Sequence, residues 1–226
     1  MSEVLVAGLL WLGTHLGISS TPLRGVLVSA IGQRGYLALY SLLAFASLGY
    51  LIWVYTEVPR FDYLWLPDPA LYWPAKLALP VALVLMVGGF MVRNPTMVGV
   101  TVSEAQAREL ATGVTRITRH PFQWAVVLWA VTHMMANGDW VSLIFFGSFA
   151  VLSFAGTFLM DAKKNRLADP GWLAYASVTS NVPCAAIVSG RNTLVVRELW
   201  LPTVVGLILY ALLYYFHEAF TGAVIV

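Results

Sequence analysis

The sequence predicts an all-α fold, a polytopic transmembrane helix bundle of about six spans with both termini outside, and three features predict it. Of 226 residues, 59% are hydrophobic and only 11% are charged, against about 25% charged in a soluble domain. Six apolar runs without strand alternation lie along the chain. Positive charge gathers in alternate loops. A chain so poor in charge cannot cover itself with polar groups, so part of its solvent is lipid.

The apolar runs are Val4–Ile18, Tyr36–Thr56, Trp73–Val92, Pro121–Asn137, Trp140–Met160 and Leu199–His217. Backbone facing hydrocarbon must satisfy its own hydrogen bonds, which leaves helices as the economical solution. The first and fourth runs fall short of the roughly 20 residues of a full span. With the N-terminus outside, eleven of the thirteen Lys and Arg residues lie in inner loops, and only Arg60 and Lys76 lie outside. The positive-inside bias predicts this split, and adding or losing one helix would scramble it. The sequence "MSEVLVAGLLWLG" has no Lys or Arg before its apolar run, so it reads as a retained span rather than a signal peptide.

Shorter signals fit the same plan. Ser103-Glu104-Ala105-Gln106 has the spacing of a capping box and predicts a short cytoplasmic helix. Thr21-Pro22 predicts another after the first span. The outer loop "EVPRFDYLWLPDPALYWP" has the Trp, Tyr and Pro content of an interfacial segment. No repeat or linker divides the chain, which leaves a single domain, 1–226. The formal charge of +2, without a basic–aromatic cluster, points away from nucleic acid. Cys184, the sole cysteine, excludes an intramolecular disulfide and any multi-cysteine metal site.

Chemistry therefore narrows to the histidines, His15, His120, His133 and His217, and their polar neighbours. An ionisable ring inside a span is expensive and defaults to a functional hypothesis. A neutral histidine bonded to a carbonyl that merely ties helices together is the plainer alternative. His15 stands between Gly13 and Gly17, which leave room for a planar group or a close helix. His133 shares a helix face with Val126, Trp129 and Ala130. His120 lies beside Arg119 at the cytoplasmic start of the fourth helix, where it either satisfies first-turn groups or serves an anion or cofactor site. His217 reads as interfacial. Two imidazoles from different helices form the usual protein side of a bis-histidine haem, although a proton relay would use the same residues. At about 1.5 Å rise per residue, His15 and His133 differ in depth by roughly 10 Å. On depth alone His15 pairs better with His120.

The stretches "GTHLGISS", "TRITRHPFQWAVVLWAVTHMMANGD" and "MDAKKNR…SVTSNVPCAAIVSGR" resemble the signature regions of the NnrU family of bacterial membrane proteins, over nearly the whole chain. The same architecture includes the 15-cis-zeta-carotene isomerase of plants and cyanobacteria. The resemblance implies a multi-pass protein of the bacterial inner membrane, associated with nitrite and nitric oxide metabolism in denitrification. It implies haem b held by His15 and His133; His120 is the reserve ligand, and Arg119 and His120 are cofactor-binding candidates from their place at the helix start. Partners implied are the lipid bilayer, haem, and a hydrophobic substrate or components of nitrogen-oxide reductases. Catalysis, if present, would be redox chemistry or haem-dependent cis–trans isomerisation of a carotenoid. The isomerase's cysteine three residues before its second ligand is Ala130 here, which removes a thiolate from that mechanism. "TRHP" followed by "MDAKKNR" is also similar to membrane S-adenosylmethionine-dependent methyltransferases, whose downstream acidic pair is reduced here to Asp161-Ala162.

Overall fold

A computed structural model describes residues 1–97, 100 and 102–223. Its elements are α1 (Ser2–Leu12), a π-turn (Gly13–Ile18), α2 (Leu23–Glu57), α3 (Pro69–Met91) and α4 (Glu104–Ala107). There follow α5 (Pro121–Asn137), α6 (Trp140–Leu167), α7 (Pro170–Val178), α8 (Ala185–Val188), α9 (Trp200–Tyr215) and α10 (His217–Thr221). Two 3₁₀ turns, Gly113–Arg116 and Val196–Glu198, complete the set. Among the described residues the only extended pairing is a single bridge between Tyr63 and Asp139.

The chain is all-helical, and α2, α3 and α6 are long and apolar enough to cross a bilayer. The first and last apolar runs form shorter apolar helices. Exposed side chains such as Leu42, Phe45, Leu77 and Phe90 present hydrocarbon outward, as a lipid-facing surface requires.

Helix limits differ from the apolar runs where charge rather than helicity changes. α6 continues past Met160 to Leu167, because Asp161, Lys163, Lys164 and Arg166 end the hydrophobic run without breaking the helix. α2 starts at Leu23, thirteen residues before its apolar run. The short helix expected after Thr21-Pro22 is its first part, and Gly32, at φ 73° and ψ 166°, separates it from the rest. Only glycine takes that conformation without strain. α3 begins at Pro69, where the Asp68 carboxylate accepts from Ala70 N–H at 2.7 Å and proline occupies the first turn. The capping box at Ser103 does not form. α4 is one turn long, and the N–H groups of Gln106 and Ala107 bond the Ser103 carbonyl rather than the hydroxyl.

The coordinates divide into two compact units. One holds residues 1–71 and 130–152, the other 72–129 and 153–226. In the first unit, α1 packs against α6, with Gly8 facing Ile144 and Ser148 and Trp11 against Phe149. Its loop between α2 and α3 is pinned by bonds from Leu64 N–H to the Gly138 carbonyl and from Trp65 Nε1–H to the Met135 carbonyl, each 2.9 Å. In the second unit Ala82, Leu85, Val114 and Ala125 form an apolar core. Gly206 of α9 lies directly against the backbone of Val84 in α3, where a side chain would collide. A second cluster, Ala107, Ala111, Trp172 and Tyr175, lies under α7.

Candidate functional site

The second unit contains a buried polar centre assembled around one carboxylate. Residues 117–120 are laced to 180–184: Arg119 N–H donates to the Ser180 carbonyl at 2.8 Å and Cys184 N–H to the Ile117 carbonyl at 2.7 Å. The Thr118 hydroxyl donates to the Asn181 carbonyl at 2.6 Å, and Trp124 Nε1–H to the same oxygen at 2.9 Å. Asn94 and Thr96 hold the Arg119 carbonyl from the other side. These bonds fix His120, which is 0% exposed, at the entrance to α5.

On the charged C-terminal extension of α6, Asp161 receives His120 Nε2–H at 2.7 Å and Asn181 Nδ2–H at 3.3 Å, with Arg119 Nη1 3.7 Å away. Arg119 also donates to the Thr179 carbonyl at 3.1 Å and lies over the Trp172 ring. Burial weakens its hold on the proton and the Asp161 charge restores part of it. A guanidinium stays charged here regardless. Burial likewise pushes the Tyr175 hydroxyl far above the usual phenol range. That hydroxyl neighbours Thr115, whose own proton goes to the Leu110 and Thr112 carbonyls.

Four buried polar atoms of this centre have no protein partner: Arg119 Nε, His120 Nδ1, Tyr175 Oη and Asn181 Oδ1. Buried polar groups are nearly always satisfied, so four orphans around one carboxylate mark a place built for something other than packing. With Nε2–H donated to Asp161, Nδ1 is the ring nitrogen left without a protein partner. Imidazole positioned by a carboxylate in this way is suited to accept a proton or to bind an ion.

His15 belongs to the first unit and is organised differently. It sits in the π-turn, a distortion often found at functional positions. Its Nδ1–H donates to the Trp11 carbonyl at 3.0 Å, which leaves Nε2 without the proton. Its ring packs at a tilt of 54° against Trp11, 3.9 Å between centroids, and meets Tyr40 edge-on at 5.9 Å. Side chains added at Gly13 or Gly17 would meet nothing within 4 Å; two residues either side of His15, both glycines point to the opposite face of the helix. His133 lies in the same unit, 4.9 Å from the Phe146 ring. Rings connect the two histidines in the order Trp11, Phe149, Phe145, Phe146. His15 is one turn beyond Trp11, and Phe149 lies three residues beyond Phe146. The two backbones are therefore offset by roughly 10 Å at about 1.5 Å per residue.

Arg119 and His120 are thus together, with Asp161, in one unit, and His15 and His133 are at two levels of the other. Asp161 enters the sequence reading only as the remnant of the acidic pair in the methyltransferase likeness, and Tyr175 and Asn181 carry no sequence signal of their own. His217 bonds Thr221 and the Ala223 carbonyl beside α10. Among the described residues no group of three or more His, Cys, Asp or Glu side chains is arranged to hold a metal.

The family model described as NnrU protein matches residues 4–225. The chain belongs to the NnrU family. The match runs through both units and takes in the polar centre as well as His15 and His133. No curated protein matches this NnrU chain, and no solved structure does.

Proposed function

We propose that this NnrU protein is a haem b protein of the bacterial inner membrane, with six spans and both termini outside, serving nitrite and nitric oxide metabolism. The observation that carries this reading is the state of His15. Its Nδ1 proton is held by the Trp11 carbonyl, which leaves Nε2 as the ring nitrogen with a lone pair for a ligand. A fixed tautomer with the second nitrogen free is what an axial ligand requires. Haem supplies one-electron chemistry and affinity for diatomic ligands when bound. The protein orients the ring through Trp11 and keeps water away with its apolar helices.

The resemblance assigns His133 as the second ligand. Its offset level and its packing on Phe146 make it the weaker of the two, so its removal is expected to shift the spectrum rather than abolish it. The absorbance of detergent-purified chain, expressed with ample haem, tests the proposal. A Soret band lost in His15→Ala supports it, and a chain without any Soret band ends it. Nitric oxide binding to the reduced protein, against conversion of a cis-polyene, separates nitrogen-oxide chemistry from carotenoid isomerisation.

Methyl transfer draws support from the convergence of Arg119, His120 and Asp161. The same geometry weakens it: both Asp161 oxygens are already engaged, and a sulfonium cation would meet Arg119 and Lys164.

A further inference from the structure

The geometry points to a binding site for a phosphate-type oxyanion in the polar centre, formed by Arg119, His120, Tyr175 and Asn181. This site is separate from the His15 haem ligand and independent of it. Three of the four orphaned atoms are donors or become donors: Arg119 Nε–H, the Tyr175 hydroxyl, and His120 Nδ1 once protonated. Asn181 is oriented by Asp161, because its Nδ2 faces a carboxylate oxygen and the reverse orientation would set oxygen against oxygen. Asn181 Oδ1 is therefore an acceptor, and it suits an oxyanion that retains one proton.

The surrounding charge favours an anion. Arg191 shares the Thr179 carbonyl with Arg119, and Lys164 lies over Trp172, as Arg119 does. Asp161 is the carboxylate paired with Arg119, and it is already bonded to His120 and Asn181. Positive charge in a largely dry setting binds anions more strongly than it would in water. Access runs along Arg119 and Asp161, whose side chains keep 11% and 16% of their exposure. On binding, a proton from solvent joins His120 Nδ1. The resulting imidazolium then bridges Asp161 on one side and the oxyanion on the other. Free phosphate and the headgroup of an anionic phospholipid share this chemistry.

The test uses the full chain with ¹⁵N-labelled histidine in nanodiscs of phosphatidylcholine, titrated with inorganic phosphate. The His120 resonances are assigned by their loss in His120→Gln. Binding moves His120 Nδ1 saturably from a bare nitrogen to an N–H. Tyr175→Phe removes one donor and weakens phosphate binding about tenfold. It leaves thermal unfolding unchanged or slightly raised, because an unpaired buried hydroxyl has gone. Arg119→Lys, which keeps the charge and loses Nε, weakens binding at least as much. In discs containing phosphatidylglycerol, a His120 signal already shifted before phosphate is added identifies the lipid headgroup as the natural source. An unmoved signal in both kinds of disc overturns the proposal, as does equal phosphate affinity in the parent chain and Tyr175→Phe.

Discussion

His15 and His120 are the same side chain placed under opposite control. His15 is fixed from within its own helix: Nδ1–H bonds the Trp11 carbonyl one turn earlier, and Nε2 keeps its lone pair. His120 is fixed from far along the chain: Nε2–H bonds Asp161, forty-one positions away, and Nδ1 is left bare. One arrangement depends on a local distortion, the π-turn Gly13–Ile18. The other depends on a network that joins α5, α6, α7 and the 179–184 segment. A locally fixed ring tolerates changes elsewhere, whereas a network-fixed ring fails when any of several partners is removed.

That contrast is sharpest at Asp161. Replacing it with Ala leaves the Arg119 charge, the His120 ring and the Asn181 amide without their shared acceptor. Removing one partner of a buried pair costs about 3 kcal/mol or more. Unfolding in mixed detergent micelles should show a loss of that size for Asp161→Ala. His15→Ala should lose no more than the packing of one ring. Equal losses would erase the distinction drawn here.

The helices were largely legible before any coordinates, because apolar runs report burial in lipid directly. Their ends were not. Asp161, Lys163 and Lys164 stop a hydropathy plot at Met160 yet are compatible with helix, so α6 runs on and carries Asp161 to His120. The Ser103 box was a correct spacing without the hydrogen bond, since its helix stops after one turn. His15 stood out because a ring inside an apolar run is costly, but nothing in "GTHLGISS" announces a π-turn. The polar centre was half visible. Arg119 and His120 drew notice beside Pro121, while Tyr175 and Asn181 are ordinary residues until tertiary contacts bring them to Asp161.

Glu198 gives a milder, pH-dependent break. Its carboxylate accepts from Arg116 at 2.7 and 2.9 Å and from Gly113 N–H at 2.6 Å. The bond from Arg116 chiefly holds it below the usual carboxylate range. A depressed folded value stabilises the protein above the unfolded carboxylate value of about 4.3, and the gain disappears as pH falls through the folded value. Glu198→Gln should therefore cost about 1 kcal/mol at pH 7. The difference from the parent chain should close on acidification, as melts at pH 7 and pH 3 would reveal.

The smallest expected effect is at α7. Asp169 caps it by accepting Trp172 N–H at 2.8 Å. Loss of such a cap costs about 1 kcal/mol or less. Asp169→Ala should loosen Trp172 and Tyr175, lowering protection of the α7 amides in hydrogen exchange while sparing those around His15.

The account rests on His15 as an iron ligand, and one set of spectra tests it most directly. The chain and its His15→Ala, His133→Ala and His120→Ala variants are purified after expression with ample haem, and their Soret absorbance per protein is compared. The account predicts a band abolished by His15→Ala, shifted by His133→Ala and unchanged by His120→Ala. A band that survives His15→Ala, or that is absent from the parent chain, contradicts it.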